Sequence, residues 1–165
     1  LFETFSTTLN KFDNEHGFAN SRARLRMTTL YQVAAANKGI VVGTGNKVED
    51  FGVGFYTKYG DGGVDISPIA DLLKTEVYLL SSHLGINKEI IEAAPTDGLW
   101  ADEKTDEDQL GASYTELEWA MNFNGNIKHL TERQKIVLEI YTTMHNKNQH
   151  KMIEIPICKI PNSLK

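Results

Sequence analysis

Cys158 is the only cysteine among 165 residues, which excludes an intramolecular disulfide and a cysteine-rich zinc site. No apolar run approaches the roughly 20 residues needed to span a bilayer. The segment from Leu1 carries no basic stretch followed by an apolar core, so neither a membrane association nor a secretory leader is expected and the default location is the cytoplasm. Basic residues are in deficit: 17 Lys+Arg against 22 Asp+Glu give a net charge of −5, which argues against non-specific nucleic-acid binding but leaves room for a local basic cluster that grips a phosphate. A Walker A pattern, internal repeats and low-complexity tracts are all missing. His145 and His150 stand five apart and do not share a helical face, which argues against a two-histidine metal site. What is present, 41% hydrophobic and 24% charged residues, is the composition of one globular domain. The chain opens on Leu1 in what reads as the middle of a helix, so a longer parent protein is expected.

A helix is predicted over Phe2–Phe12, a break at His16-Gly17, and a longer helix over Ser21–Asn37 with the stripe Ala23, Met27, Leu30 and Ala34. Ile40-Val41-Val42, β-branched and bounded by glycines, reads as a strand buried on both faces. Residues 43–65 hold seven of the 13 glycines and fit no helix or strand pattern. Ser67 and Pro68 read as N-cap and first position of a helix that runs through Ile69, Leu72, Leu73, Val77, Leu80 and Leu84 to a stop at Gly85. Asn87 caps a short helix ending near Ala94 before Pro95. The acidic stretch 97–108 reads as a solvated, mobile loop. Ser113 and Thr131 open two further helices with capping boxes, the second burying Ile136, Val137, Ile140, Tyr141 and Met144. Cys158, between Ile157 and Ile160, reads as core or tail packing.

One buried strand among about six helices leaves its backbone N–H and C=O groups without partners. No second strand of that quality lies downstream, so its neighbours are expected upstream of Leu1 or in another chain. The fold class is therefore α/β with part of the sheet missing.

Several residues are candidates for chemistry. Thr44, Glu49, Lys58, Asp61 and Asp65 fall within the glycine-rich segment, where a hydroxyl and a carboxylate near a strand's C-terminal end suit a metal and a phosphate. Gly43-x-Gly45 begins a dinucleotide fingerprint but Val48 does not complete it. Arg24 lies at the flank of the long helix's apolar stripe, its fork free to meet an anion. Lys74 occupies a similar flank on the third helix. For each residue taken singly, a solvated charge is the commoner reading.

The string Ala23-Arg24-Leu25-Arg26-Met27, then Gly43-Thr44, Glu49, Tyr56-Thr57-Lys58-Tyr59-Gly60-Asp61-Gly62-Gly63-Val64-Asp65, Leu72-Leu73-Lys74, Ala94-Pro95-Thr96, Thr105-Asp106-Glu107, Ser113-Tyr114 and His150-Lys151 closely resembles ammonia-dependent NAD synthetase. The likeness runs from about Ser21 to Lys151. It implies a Rossmann-like fold of the adenine-nucleotide alpha-hydrolase type with a parallel sheet, mostly helical here because the N-terminal strands are missing. Residues 1–165 are then the C-terminal portion of a single synthetase domain. The activity implied is ligation of ammonia to deamido-NAD, the nicotinate carboxylate being first adenylated by ATP with release of pyrophosphate, with magnesium neutralising phosphate charge. The resemblance further implies Glu49 as magnesium ligand, Thr44, Lys74 and Thr96 as ATP contacts, Arg24, Lys58, Asp65, His150 and Lys151 as deamido-NAD contacts, and a homodimer through the N-terminal helices. The pattern departs from the family at Gly45-Asn46-Lys47, at Asp97-Gly98, and in one extra residue between Glu49 and Lys58; the Ser-Gly-Gly-x-Asp-Ser pyrophosphate loop is absent from these residues. Two alternatives stay open: another ATP-consuming amide former acting on a different acid, and a non-catalytic dimerising module that binds ligand.

Overall fold

The computed structural model describes residues 1–99 and 104–164. Helix α1 spans Phe2–Thr8 and continues as a 3₁₀ turn over Asn10–Phe12. Helix α2 spans Glu15–Ala36, starting earlier than its sequence suggests because the Asn14 side chain accepts from the Gly17 N–H and so absorbs the glycine into the first turn. Phe2, Phe5 and Phe18 pack α1 on α2 with ring centroids 6.1–6.5 Å apart.

Around the expected strand, sequence and structure part ways. Val41 is buried, but Ile40 and Val42 are each about half exposed, and the described residues contain a single parallel bridge, Val42 to Ile66. Gly43 N–H donates to the Ile66 carbonyl and Asp65 N–H to the Val41 carbonyl. The strand thus has a partner downstream, contrary to expectation, and it is not buried on both faces. Among the described residues Ile66 provides its one bridge partner, and Ile40 and Val42 keep about half of their surface exposed.

The glycine-rich segment is not structureless. Val48–Val53 forms one π-helical turn, closed by Gly54 in the left-handed region, and Val48 and Val53 are completely buried. Residues 68–72 make turns, so α3 begins only at Lys74 and runs to His83, six residues later than Pro68 suggests. Its start is fixed from outside: the Glu118 carboxylate accepts from the Thr75 N–H and hydroxyl, an anion placed where the helix dipole favours one. Gly85 follows with φ 69°, the expected stop. Helix α4 is a single turn, Lys88–Ile91, capped by Asn87.

Helix α5 spans Asp106–Leu110, within the stretch expected to be solvated; Thr105 caps it and both Asp106 and Leu110 are buried. Part of that stretch, 100–103, lies outside the described residues. Helices α6 (Tyr114–Asn122) and α7 (Glu132–Met152) carry the capping boxes read from Ser113 and Thr131. Arg133 tethers them with a fork on the Glu116 carboxylate, both contacts 2.7 Å, which holds that carboxyl down at about 2. Val48, Val53, Leu110, Ala112, Tyr114, Leu117, Ala120 and Val137 form the core, with Ile140, Tyr141 and Met144 against it. Ile136 is half exposed, and Cys158 is exposed rather than packed. No described helix is long and apolar enough to cross a membrane.

Leu117 sits at the centre of this core with no exposed surface, whereas Leu79 on α3 is 72% exposed. Leu117→Ala is expected to lower stability by about 3 kcal/mol and Leu79→Ala by less than about 0.5, read by urea denaturation.

Candidate functional site

The π turn is where sequence becomes site. An i→i+5 bond, Gly54 N–H to the Glu49 carbonyl, closes a ring one residue wider than an α turn and so accommodates an inserted residue. Three side chains of α7 hold the turn by its carbonyls: His145 Nδ1 meets Gly52 O at 2.7 Å, Asn148 donates to Val53 O at 2.8 Å, and Lys151 donates to Gly54 O at 2.8 Å. A Cβ at Gly54 would lie 2.5 Å from that of Asn148, so this close approach needs glycine.

Glu49 and Asp50, at the start of the turn, face a hollow of about 270 Å³ lined also by Thr44, Lys74, Thr96, Asp97 and Asp106. Lys74 Nζ lies 3.1 Å from Glu49 Oε1, both side chains largely buried, and 4.7 Å above the Tyr114 ring. The Tyr114 hydroxyl donates to the same Glu49 oxygen at 2.5 Å and lies 3.2 Å from Asp106 Oδ2. Burial together with Glu49 pushes the phenol far above its usual range. Asp106 is only 8% exposed, and its Oδ1 is buried with no hydrogen-bond partner among the described residues. Burial raises its carboxyl, against the Tyr114 hydrogen bond that lowers it. Asp50 rises to about 6 through burial and the neighbouring Glu49 and Asp61 charges.

A second, larger hollow of about 550 Å³ adjoins the first, the two sharing Phe55, Tyr56, Asp61 and Asp97. Arg24, Lys58, His150 and Lys151 all line it. Arg24 Nε donates to Lys58 O at 3.3 Å, Lys58 Nζ to His150 O at 2.6 Å, and Tyr56 Oη to Lys151 O at 2.6 Å. Lys151, donating also to Tyr56 O at 2.7 Å, is held below the usual lysine range by burial. Burial and the Asp50 and Asp61 charges raise Tyr56 to about 12. Asp61 accepts from the Thr57 N–H at 2.9 Å and so fixes the Lys-Tyr-Gly-Asp turn, while Gly60 lets that turn rest on Ala23 of α2, 2.9 Å from where a Cβ would stand.

Eight of the nine residues to which the resemblance gives a role therefore fall on two adjoining hollows, Thr44, Glu49, Lys74 and Thr96 on one, Arg24, Lys58, His150 and Lys151 on the other, and the further candidate Asp61 lines both. Asp65 lines neither. It accepts from the Val41 N–H at 2.8 Å and the Tyr31 hydroxyl at 3.2 Å, bracing the parallel bridge. Sequence reading missed Tyr114, Asp106 and Asp50. Tyr114 follows a capping serine and reads as a helix-start residue, and Asp106 stands among neighbouring acids; both lie in strings that carry the family likeness, but that likeness gave neither a role.

The donor set suits a hard cation. Magnesium takes one or two carboxylates and completes its shell with phosphate oxygens and water. Among the described residues no three metal-ligating side chains converge, but Glu49 and Asp106 line the same hollow, and the Oδ1 oxygen of Asp106 is buried without a hydrogen-bond partner among the described residues.

The family model described as NAD synthase matches residues 1–155. The chain belongs to that family. Among its relatives, the NH(3)-dependent NAD(+) synthetase of Thermoplasma volcanium is 38% identical over 154 residues, 92% of this chain and 60% of the relative. The enzyme of the same name from Methanococcoides burtonii is 46% identical over 120 residues, 72% and 45% of the two chains. The NMN synthetase from Francisella tularensis shares the fold with a TM-score of 0.80 and 34% identity, over 98% of this chain and 63% of that one. The NH3-dependent NAD synthetase from Campylobacter jejuni, with a TM-score of 0.69 at 24% identity over 95% and 63% of the chains, shows the fold alone. The chain thus spans about half to two-thirds of the length of these NAD synthase relatives.

Asp50 supplies a test of the site's electrostatics. Its carboxyl titrates near 6 in the fold against 3.8 unfolded, so the folded state holds the proton more tightly and its ionisation costs stability. Asp50→Asn is expected to stabilise the chain by about 1 kcal/mol above pH 6, discounted for partial solvent screening. The gain should shrink as pH falls from about 6 and vanish below 3.8, as read by thermal melts across pH.

Proposed function

We propose that the protein carrying this chain is a ligase that amidates deamido-NAD with ammonia at the expense of ATP, residues 1–165 being the C-terminal portion of its one synthetase domain. The observation that carries this reading is the junction of the two hollows, one rich in oxygen ligands with a single lysine, the other lined by six basic side chains, Arg24, Lys58 and Lys151 among them. A free carboxylate is a poor electrophile. Transfer of AMP from ATP to the nicotinate carboxylate releases pyrophosphate and gives an acyl-adenylate, and ammonia displaces AMP to form the amide.

In this reading Thr44, Thr96 and Lys74 meet ATP, the lysine as a point charge on phosphate oxygens. Arg24, Lys58, His150 and Lys151 hold deamido-NAD, and Asp65 acts on it through the strand it braces. Phe55, Tyr56, Asp61 and Asp97 line both hollows and so mark their junction, where the carboxylate to be activated would meet the nucleotide. Glu49 holds magnesium, which neutralises phosphate charge during adenylation. A second reading, in which the acid is the mononucleotide, is favoured by the likeness to the Francisella tularensis NMN synthetase.

Offered ATP, magnesium and ammonia, a full-length protein carrying this chain is expected to make NAD from deamido-NAD faster than it amidates nicotinate mononucleotide. The reverse preference would establish the second reading, and no amide from either acid would overturn both. Residues 1–165 alone, without the pyrophosphate loop, are expected to make none. Lys58→Ala should raise KM for deamido-NAD by about tenfold, the worth of one charge-assisted phosphate contact, with KM for ATP unchanged. We further propose a homodimer through the N-terminal helices, supported by Leu30 and Val33, each 55% exposed on α2. Sedimentation equilibrium should show a dimer, and a monomer at high concentration would refute it.

A further inference from the structure

We propose that Asp106 is a second cation ligand beside Glu49 and that Tyr114 is the positioning residue that ties the two carboxylates together. The inference rests on the synthetase reading for the nature of the cation, but its evidence is local geometry. A phenol has one proton to give. The Tyr114 hydroxyl is 2.5 Å from Glu49 Oε1 and 3.2 Å from Asp106 Oδ2, so its one proton serves Glu49 first and gives Asp106 only the longer, weaker contact. Asp106 is more than nine-tenths buried, and its other oxygen, Oδ1, has no partner among the described residues. A buried carboxylate oxygen left in this state marks a position completed by something else. The same hollow holds Glu49, Thr44 and Thr96, so an ion at Asp106 lies among the groups assigned to metal and nucleotide.

Lys74 completes the arrangement. Its ammonium is 3.1 Å from Glu49 and above the Tyr114 ring, and it serves as internal counter-ion to the carboxylate pair. Glu49 and Asp106 would hold a divalent ion, which would supply the positive charge that Lys74 now provides. The Lys74 ammonium, three donors and no acceptor, would then be available to a phosphate oxygen, coupling metal and nucleotide binding through one side chain.

Mn²⁺ is the probe, with loss of its free electron-paramagnetic-resonance signal reporting binding to residues 1–165, with and without β,γ-methylene ATP. The unsubstituted chain is expected to bind Mn²⁺, more tightly with the nucleotide present. Asp106→Asn, nearly isosteric, should weaken Mn²⁺ by about tenfold or more, and Tyr114→Phe, which keeps the ring, by about tenfold. Lys74→Met should strengthen Mn²⁺ binding without nucleotide and erase the strengthening that nucleotide brings. Circular-dichroism melts identify any variant that fails to fold, in which case the remaining variants decide. Mn²⁺ affinity unchanged in folded Asp106→Asn or Tyr114→Phe would overturn the proposal, as would failure of the unsubstituted chain to bind Mn²⁺. Deamido-NAD binding measured by calorimetry separates the two claims: its loss sinks the synthetase reading, whereas deamido-NAD binding with an Asp106-independent metal sinks only this inference.

Discussion

Val48 and Val53 are fully buried at the two ends of one π turn, and the site's geometry depends on that anchoring. The core grips the turn from one side while α7 takes the carbonyls of Gly52, Val53 and Gly54 from another. Between these restraints Glu49 and Asp50 have no choice but to face outward together. A polar pair in a tight hollow is expensive to hold, and here the expense is met by apolar packing on the far side of the same turn. Stability and site are two faces of six residues.

The same logic joins the two hollows. Residues 54–58 leave the turn and are seized at once by the end of α7, through Lys151 on the carbonyls of Gly54 and Tyr56 and through Tyr56 on the Lys151 carbonyl. The long helix therefore runs from the core, at Val137, to the wall of the larger hollow, at His150 and Lys151. Its last turn also fixes Lys58, whose ammonium rests on the His150 carbonyl.

How much of this was legible beforehand depended on the kind of signal. Capping boxes at Ser113 and Thr131 are local chemistry, and both helices start where they indicate. Pro68 misled because a good first helical residue does not start a helix when an acid on another helix, Glu118, fixes the start at Lys74. The strand expected at Ile40–Val42 is reduced to an isolated bridge from Val42 to Ile66, and its apolar side chains at Ile40 and Val42 stay half exposed, neither of which a β-branched run announces. Glycine count argued against helix in 43–65 because propensity sums over residues, whereas two buried valines decided the matter by tertiary packing. In the site, family motifs led to eight residues that share two hollows. Tyr114 and Asp106 escaped because their significance lies in a meeting of distant segments, 65 residues apart between Tyr114 and Glu49, which no local spacing encodes.

Arg22 and Arg26 reach from α2 to the segment after Thr96, and both grasp it by main-chain oxygens: Arg22 that of Leu99, Arg26 that of Gly98 at 3.1 Å. A clasp on the peptide backbone is blind to side-chain identity. The path of that rim is thereby set by α2 from outside and closed from within by Asp97, which accepts from the Leu99 N–H at 2.9 Å and the Gln109 amide at 3.3 Å, while Gly98, at φ 60°, supplies the left-handed step between them.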